Sequence, residues 1–181
     1  MTVNRTPPLQ DHILIHAPIA RVWEVVSDVR RMAEWSPQVD ACEVDDGHAP
    51  GAVGARFTNH NRHGDLRWRT HGEIVRSQPG QELAFRIDEN TVVWVLRLEE
   101  VSATATRLTQ ARETPDGISE FALGRVEKYL GGQDAFAETM RANVRATLAA
   151  IKSTVEGMAC PPSDRHTNLT RSRVCQSLAH G

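Results

Sequence analysis

The polar residues best suited to chemistry are Gln110 and Arg112, which lie two positions apart in a segment with the alternation of a β-strand. Side chains two positions apart share one face of a strand, and Leu108 indicates that this face is the inner one. An arginine at a cavity mouth could hold a carboxylate through two hydrogen bonds or polarise a carbonyl group. Arg112 is therefore the candidate catalytic residue, and the alternative is a surface ion pair with Glu113 or Glu120.

Other residue types that often carry chemistry lack the spacing that it needs. His60 and His63 would diverge in a strand that ends in a hairpin, and no carboxylate or cysteine is spaced to complete a metal site with them. The segment from Gly51 to Gly54 has neither the lysine nor the helix of a phosphate-binding loop. Cys42 lies in a predicted strand and is expected to be a small buried residue. The sequence therefore predicts no metal and no cofactor.

The elements that position these residues begin with a strand over residues 10–16. Apolar residues at helical spacing then predict a helix after Pro18, and Asp28 is placed to cap a second short helix over residues 29–35. Beyond this point the apolar residues alternate, which is typical of strands joined by short turns. Such a run predicts an antiparallel meander and, with the first strand, a sheet of about seven strands. The further strands are predicted over residues 39–45, 54–61, 66–76, 82–88, 91–100 and 104–113.

The last element is a long amphipathic helix predicted over residues 134–156. At ~1.5 Å per residue, it is long enough to cross a whole sheet. Gly131 and Gly132 are expected to interrupt any helix that begins near Ser119. The apolar stripe of the long helix consists of Phe136, Met140, Val144, Leu148, Ile151 and Val155.

The alternation also predicts which face of the sheet is the inner one. Trp68 and Thr70 alternate with Arg67 and Arg69, and the arginines must face water because burying an unpaired charge is strongly unfavourable. The resulting inner surface is aromatic and aliphatic with a few polar interruptions, which is typical of a small-molecule pocket. The alternative is a core that the same side chains fill completely.

Several short motifs, taken in order, resemble those of a known family. They are I-x-A-P-x-x-x-V-W-x-x-V-x-D from Ile15 to Asp28, then Trp35-Ser36-Pro37, Gly54-x-x-Phe57, Trp68, Leu83-Ala84-Phe85, Trp94 and Thr106-x-Leu108-Thr109. Over residues 10–155 the chain resembles the START-like, Bet v 1-like (SRPBCC) superfamily, in particular its polyketide cyclase/dehydrase-like group. The resemblance implies an α+β helix-grip fold, in which a curved antiparallel sheet wraps around a long C-terminal helix. Two short helices follow the first strand, and a hydrophobic tunnel lies between sheet and helix.

We predict that residues 10–156 form a domain that binds a small hydrophobic or aromatic molecule, as a carrier or sensor. One alternative is a cyclase or dehydratase that acts on a polyketide-like substrate by acid/base catalysis in the same cavity. Another is a protein-interaction module similar to co-chaperone or antitoxin-like relatives. The predicted ligand-binding residues are Phe57, Asn59, Trp68, Thr70, Phe85, Trp94, Leu108, Gln110, Arg112, Phe136, Met140 and Val144.

Composition narrows the expected partners and location. The net charge of −2 and the lack of a clustered basic face argue against nucleic acid as a partner. No apolar run approaches the ~20 residues of a membrane helix, so no membrane partner is expected. Three cysteines and no signal-peptide pattern fit a protein of the cytoplasm. A monomer or homodimer is expected, with a flexible N-terminus over residues 1–9 and a disordered polar tail over residues 157–181.

Overall fold

A computed structural model describes residues 9–45, 47–117, 124, 128 and 133–158 of the chain. Within these ranges, strands and helices follow one another in the order that the sequence predicts. Their bounds are β1 (Leu9–Ile15), α1 (Ile19–Val26), a 3-10 turn (Val29–Arg31), α2 (Met32–Trp35), β2 (Val39–Val44), β3 (Arg56–His63), β4 (Leu66–Gln78), β5 (Glu82–Ile87), β6 (Val93–Ser102), β7 (Ala105–Glu113) and α3 (Gln133–Gly157).

All seven strands form one antiparallel sheet in the order β1-β7-β6-β5-β4-β3-β2. The meander from β2 to β7 pairs each strand with the next, and β1 closes the far side by pairing with β7. The helix α3 packs against β1 and β7, and also contacts α1 and α2. The predicted α+β helix-grip fold, with two short helices after the first strand, is confirmed.

Three irregularities in strand pairing help to bend this sheet. An extra residue on one strand of a pair increases the local twist and turns the strand out of plane. The pairing register shifts between Val39 and Ala41 in β2, between Ile74 and Arg76 in β4, and between Glu100 and Ser102 in β6. The sequence alternation does not reveal these shifts, although they help to produce the concave face against which the helices pack.

The segment between α1 and β2 is more broken than the sequence predicts. The single helix predicted over residues 29–35 is a 3-10 turn followed by the one-turn helix α2, because the Met32 N–H bonds to the Val29 carbonyl three residues back. Asp28 caps this segment as expected: its Oδ1 accepts a hydrogen bond from the Arg30 N–H at 3.1 Å. This short segment places Trp35 against the interior.

Parts of the predicted domain organisation fall outside the described residues. The strand β1 begins one residue before its predicted start and ends one residue before its predicted end, and α3 extends one residue beyond both of its predicted bounds. Leu9, predicted in the flexible N-terminus, and Gly157, predicted in the disordered tail, therefore belong to a strand and a helix. Residues 1–8 of the flexible N-terminus predicted over 1–9, the predicted break at Gly131-Gly132 and the part of the predicted tail beyond Met158 lie outside the described residues.

The outer face of the sheet carries a closed ring of four charged side chains on β4, β5, β6 and β7. Glu82 accepts hydrogen bonds from Arg76 Nε at 2.6 Å and Arg97 Nε at 2.9 Å. Glu113 accepts from the same two guanidinium groups, at 2.9 and 2.6 Å. These contacts hold both carboxylates in place, and they lower the pKa of Glu113 against the opposing effect of its burial.

We expect Glu82→Gln to lower the free energy of unfolding by about 1 kcal/mol, because it removes the charge that two arginines share. The Glu82 side chain is only 19% exposed, so salt screens the wild-type interaction incompletely. Urea unfolding at low and high salt measures both effects. Glu100→Gln, which changes an exposed carboxylate on β6, is the control. Equal stability of the two variants would show that the ring does not stabilise the fold.

Candidate functional site

A cavity of about 300 Å³ lies between the concave face of the sheet and α3. This volume falls at the lower end of the range of small-molecule sites, about 300–1,000 Å³. Its walls come from α2 and the residues that follow it, from the inner faces of β3 to β7, and from the first half of α3. The cavity is therefore where the fold would hold a small ligand.

Six of the predicted sheet residues line this cavity. Trp68 and Trp94 are half-buried, whereas Phe85 and Asn59 are buried. Trp94 pairs with Phe85 across β5 and β6, so these two aromatic rings form adjacent parts of one wall. The six are Asn59, Trp68, Thr70, Phe85, Trp94 and Gln110.

The predicted helix residues Phe136, Met140 and Val144 form the opposite wall. Their spacing of four residues places them on one stripe of α3, as the apolar periodicity predicts. The same stripe continues into the packed core through Leu148, which is buried away from the cavity. One face of the helix thus serves both the cavity and the core.

Three predicted residues do not line the cavity: Phe57, Leu108 and Arg112. Phe57 and Leu108 are fully buried in the core, at 1% and 0% exposure. Their side chains lie on the inner face, but the cavity occupies only part of that face. Leu108 pairs with Ile13 and Leu98, in the region where α1 packs against β6 and β7 and leaves no open space. Alternation reports the face of a strand and not the position of a void along it.

Arg112 also lies outside the lining residues. It sits opposite Leu9 on β1 and Trp94 on β6, and its side chain is half-buried. Burial and the nearby charge of Arg141 lower the pKa of its guanidinium group. The ion pair with Glu113 considered from the sequence does not form, because Glu113 binds Arg76 and Arg97 on the outer face. Glu120, the other partner considered, lies outside the described residues.

The structure adds polar lining residues that the sequence analysis did not select. Asn143 and Thr147 follow the apolar stripe of α3, and Trp35 lies at the end of α2. Asn143 is three residues after Met140 and next to Val144, so the helical spacing could have predicted that it lies on the cavity side of α3. Trp35 carried no periodic signal because α2 is only four residues long.

Four buried polar atoms of the cavity walls lack a hydrogen-bond partner among the described residues: Trp35 Nε1, Asn59 Oδ1, Gln110 Oε1 and Asn143 Nδ2. Three of the parent residues, Trp35, Asn59 and Gln110, are only 3%, 4% and 8% exposed. Native proteins rarely leave buried polar atoms unpaired, and such atoms commonly mark a site for water or a ligand. The four parent residues belong to four different elements and all line the cavity, while the four atoms themselves have almost no solvent-accessible surface.

The ionisable side chains among the described lining residues are Arg69 and Glu89, both near the mouth. Arg69, predicted on the outer face, is exposed and borders the opening. Glu89 bonds to His71: its oxygens accept from the backbone N–H at 3.0 and 3.1 Å, and Oε1 lies 2.7 Å from the ring Nδ1. The interior of the cavity is therefore polar in places but uncharged.

Within the described part of the chain, Cys42 is not arranged to act as a nucleophile, and histidine, cysteine and carboxylate side chains are not grouped as metal ligands. Burial raises the pKa of the Cys42 thiol to about 12, and the charges of Asp28 and Glu43 act in the same direction. A thiol with so high a pKa is a poor nucleophile near neutral pH. Among the residues that the structure describes, no three histidine, cysteine or carboxylate side chains are grouped to hold a metal ion.

A family model described as polyketide cyclase/dehydrase and lipid transport matches residues 8–156. The chain belongs to this family. The match covers both the sheet and the helix that enclose the cavity. No curated protein matches the chain. No helix in the described part of the chain has the length and apolar character needed to span a membrane.

Solved structures agree with the family assignment. A polyketide-cyclase-like protein from Corynebacterium glutamicum is 28% identical, with 83% of this chain and 94% of that chain covered and a TM-score of 0.55. An aromatase/cyclase from Streptomyces sp. R1128 is 19% identical, with coverage of 82% and 93% and a TM-score of 0.61. A di-domain aromatase/cyclase from the steffimycin biosynthetic pathway is 13% identical, with coverage of 83% and 50% and a TM-score of 0.61. The last two likenesses show the fold alone.

Proposed function

We propose that this chain binds one small, largely apolar molecule between the sheet and α3, as a carrier or sensor. The observation that carries the proposal is a cavity of about 300 Å³ with aromatic and aliphatic walls and a few converging polar groups. Sites with this combination bury most of a ligand's surface against apolar walls and orient it through the polar atoms. Membership of a polyketide cyclase/dehydrase and lipid transport family supports the same conclusion.

A second candidate is catalysis of ring closure or dehydration in the same cavity. It is favoured by the solved aromatase/cyclase structures that share the fold and by the amide and indole side chains that line the cavity. Such donors could stabilise negative charge that develops on a carbonyl oxygen. Binding is the better-supported proposal, because the described interior walls contain no ionisable side chain to act as acid or base.

We expect the purified protein to bind N-phenyl-1-naphthylamine, a neutral fluorescent aromatic probe, at one site with a Kd of about 10 μM or tighter. The probe's emission rises in an apolar environment, and Trp68 and Trp94 in the cavity wall provide a second signal through their own fluorescence. Titration gives the affinity and stoichiometry, and native mass spectrometry of the protein as purified shows whether a ligand accompanies it. Unsaturable binding, or the same emission from the unfolded chain, would contradict the proposal.

A further inference from the structure

A second, smaller pocket lies at the open edge of the sheet, between β1 and α3. Its volume is about 180 Å³, and Val144 is the one lining residue that it shares with the larger cavity. The lining residues are Leu9, Gln10, Asp11, Arg141, Val144 and Arg145. We propose that this pocket binds a phosphate group, free or as a small monoester, and that Arg112 and Arg141 hold it.

The pairing of β1 with β7 brings Arg112 next to this pocket. Arg112 is opposite Leu9, and Gln110 is opposite Asp11. Directly paired residues of an antiparallel sheet have their side chains on the same face, so Arg112 projects to the side that α3 covers. On α3, Arg141 lies near enough for its charge to act on the Arg112 guanidinium. Two guanidinium groups, one from the sheet and one from the helix, therefore come together at this edge.

The charge of Arg112 has no counterion among the residues that the structure describes. The residue is half-buried, and burial and the positive charge of Arg141 lower the pKa of its guanidinium without an opposing effect from any carboxylate. Removing a charged group from water without a partner is unfavourable, and a like charge nearby makes it more so. An anion that binds between the two arginines removes both penalties.

Two described carboxylates lie nearby, and each already has a partner. Asp11 Oδ1 accepts a hydrogen bond from the His12 N–H at 2.8 Å, and its Oδ2 accepts one from Arg145 Nε at 3.0 Å. Glu138 pairs with Arg141, three residues along the same helix. The Glu138 side chain is 76% exposed, so this pair contributes little and opens readily when a better acceptor binds. Arg141 is therefore available to an anion, whereas Asp11 stays with Arg145.

A phosphate group fits two arginines better than a carboxylate does. Each guanidinium presents a planar fork of N–H donors, and a single fork already satisfies both oxygens of a carboxylate. A phosphate group has tetrahedral oxygens and carries a charge of about −1.5 to −2 near neutral pH, so it can accept from both forks at once. The volume of about 180 Å³ is below that of sites for drug-sized molecules, about 300–1,000 Å³, which favours a small ion or monoester.

Titrations at constant ionic strength with inorganic phosphate, phenyl phosphate and acetate test the proposal. We expect phosphate to bind with a Kd of about 1 mM and acetate to bind about tenfold more weakly. The NMR signals of the Nε–H groups of Arg112 and Arg141 should shift together, with one dissociation constant. Phenyl phosphate that competes with phosphate shows that the site accepts monoesters, and phosphate binding alone shows a site for the free ion. Equal affinity for acetate, or no saturable phosphate binding, would overturn the proposal.

The proposed site is separate from the larger cavity, so its test can fail without affecting the proposed function. Saturating phosphate should leave the affinity for N-phenyl-1-naphthylamine unchanged, because Val144 is the one lining residue common to the two spaces. Competition between phosphate and the probe would show that phosphate enters the larger cavity, and this result would also overturn the proposal.

Charge-removing variants locate the site. Arg112→Gln and, independently, Arg141→Gln should weaken phosphate binding by about tenfold. Arg107→Gln is the matched control, because Arg107 lies on the opposite face of β7 and pairs with Glu99, and it should leave the Kd within about twofold of wild type. Glu138→Gln should tighten binding about twofold, because it removes the competing partner of Arg141. A purely structural role for the arginines would not produce this gain. Wild-type affinity in folded Arg141→Gln, whose side chain is 40% exposed in the parent protein, would contradict the proposal.

Discussion

Thr147→Phe is expected to weaken binding of N-phenyl-1-naphthylamine by about a hundredfold, equivalent to ~2.7 kcal/mol. Thr147 is buried on α3 and lines the cavity, so a phenyl ring at this position fills much of a space of about 300 Å³. Thr70→Phe, which enters the same space from β4, should have the same effect. Titration of each variant with the probe, beside a thermal melt that shows it to be folded, measures the loss.

Two matched controls separate loss of the cavity from general damage. Thr58→Phe places the same side chain on the outer face of β3, opposite to Phe57 and Asn59, and Ala146→Phe places it on the exposed face of α3. Both controls should bind the probe within about threefold of wild type, because neither ring reaches the cavity. Folded Thr147→Phe and Thr70→Phe variants with wild-type affinity would show that the probe binds elsewhere.

The fold could be predicted from the sequence because the apolar patterns that indicate strands and helices are local and repeated. Strand alternation places Trp68, Phe85 and Trp94 on one face, and the apolar stripe of α3 places Met140 and Val144 opposite them. Each of these residues belongs to an element long enough for its periodicity to be read. The order of the strands and the long helix in the described ranges follows from such patterns, whereas the break between the 3-10 turn and the one-turn helix α2 does not.

The position of the void could not be predicted in the same way. Phe57 and Asn59 have equivalent positions in the alternation of β3, yet Phe57 is packed in the core and Asn59 borders the cavity. Phe57 packs against Phe85 and over Gly72, whereas Asn59 contacts Met32 of α2, and both environments depend on contacts between distant elements. The alternation of apolar and polar residues also does not predict shifts in strand pairing, such as the one between Ile74 and Arg76 in β4.

The unpaired atoms could not be predicted either, because hydrogen-bond satisfaction is a property of the assembled structure. Asn59 and Asn61 are the same residue type on the same face of β3, yet Asn61 Nδ2 donates to Thr70 Oγ1 and to the Asn59 carbonyl, whereas Asn59 Oδ1 is buried without a partner. A sequence identifies inward polar residues, but it does not reveal which of their atoms the fold leaves without a hydrogen-bond partner.

Gly72 shows how closely the scaffold beneath the cavity is packed, and we expect Gly72→Ala to lower the free energy of unfolding by about 3 kcal/mol. A Cβ atom at this position would lie 2.7 Å from Phe57 Cε2 and 2.9 Å from Cε1, much closer than van der Waals contact. The Phe57 ring cannot move aside freely, because it is 1% exposed and packs edge-on against Phe85, with 5.7 Å between ring centroids.

Urea unfolding of wild type, Gly72→Ala, Phe57→Leu and the double variant tests this explanation. If the clash is with the Phe57 ring, the double variant should be more stable than the sum of the two single changes predicts, by about 1 kcal/mol or more. Gly157→Ala is the matched control, since a Cβ there meets no atom within 4 Å. Strict additivity would place the strain elsewhere. Because Phe85 is both the neighbour of Phe57 and part of the cavity wall, Gly72→Ala should also weaken probe binding, which would link the packing of the sheet to the shape of the site.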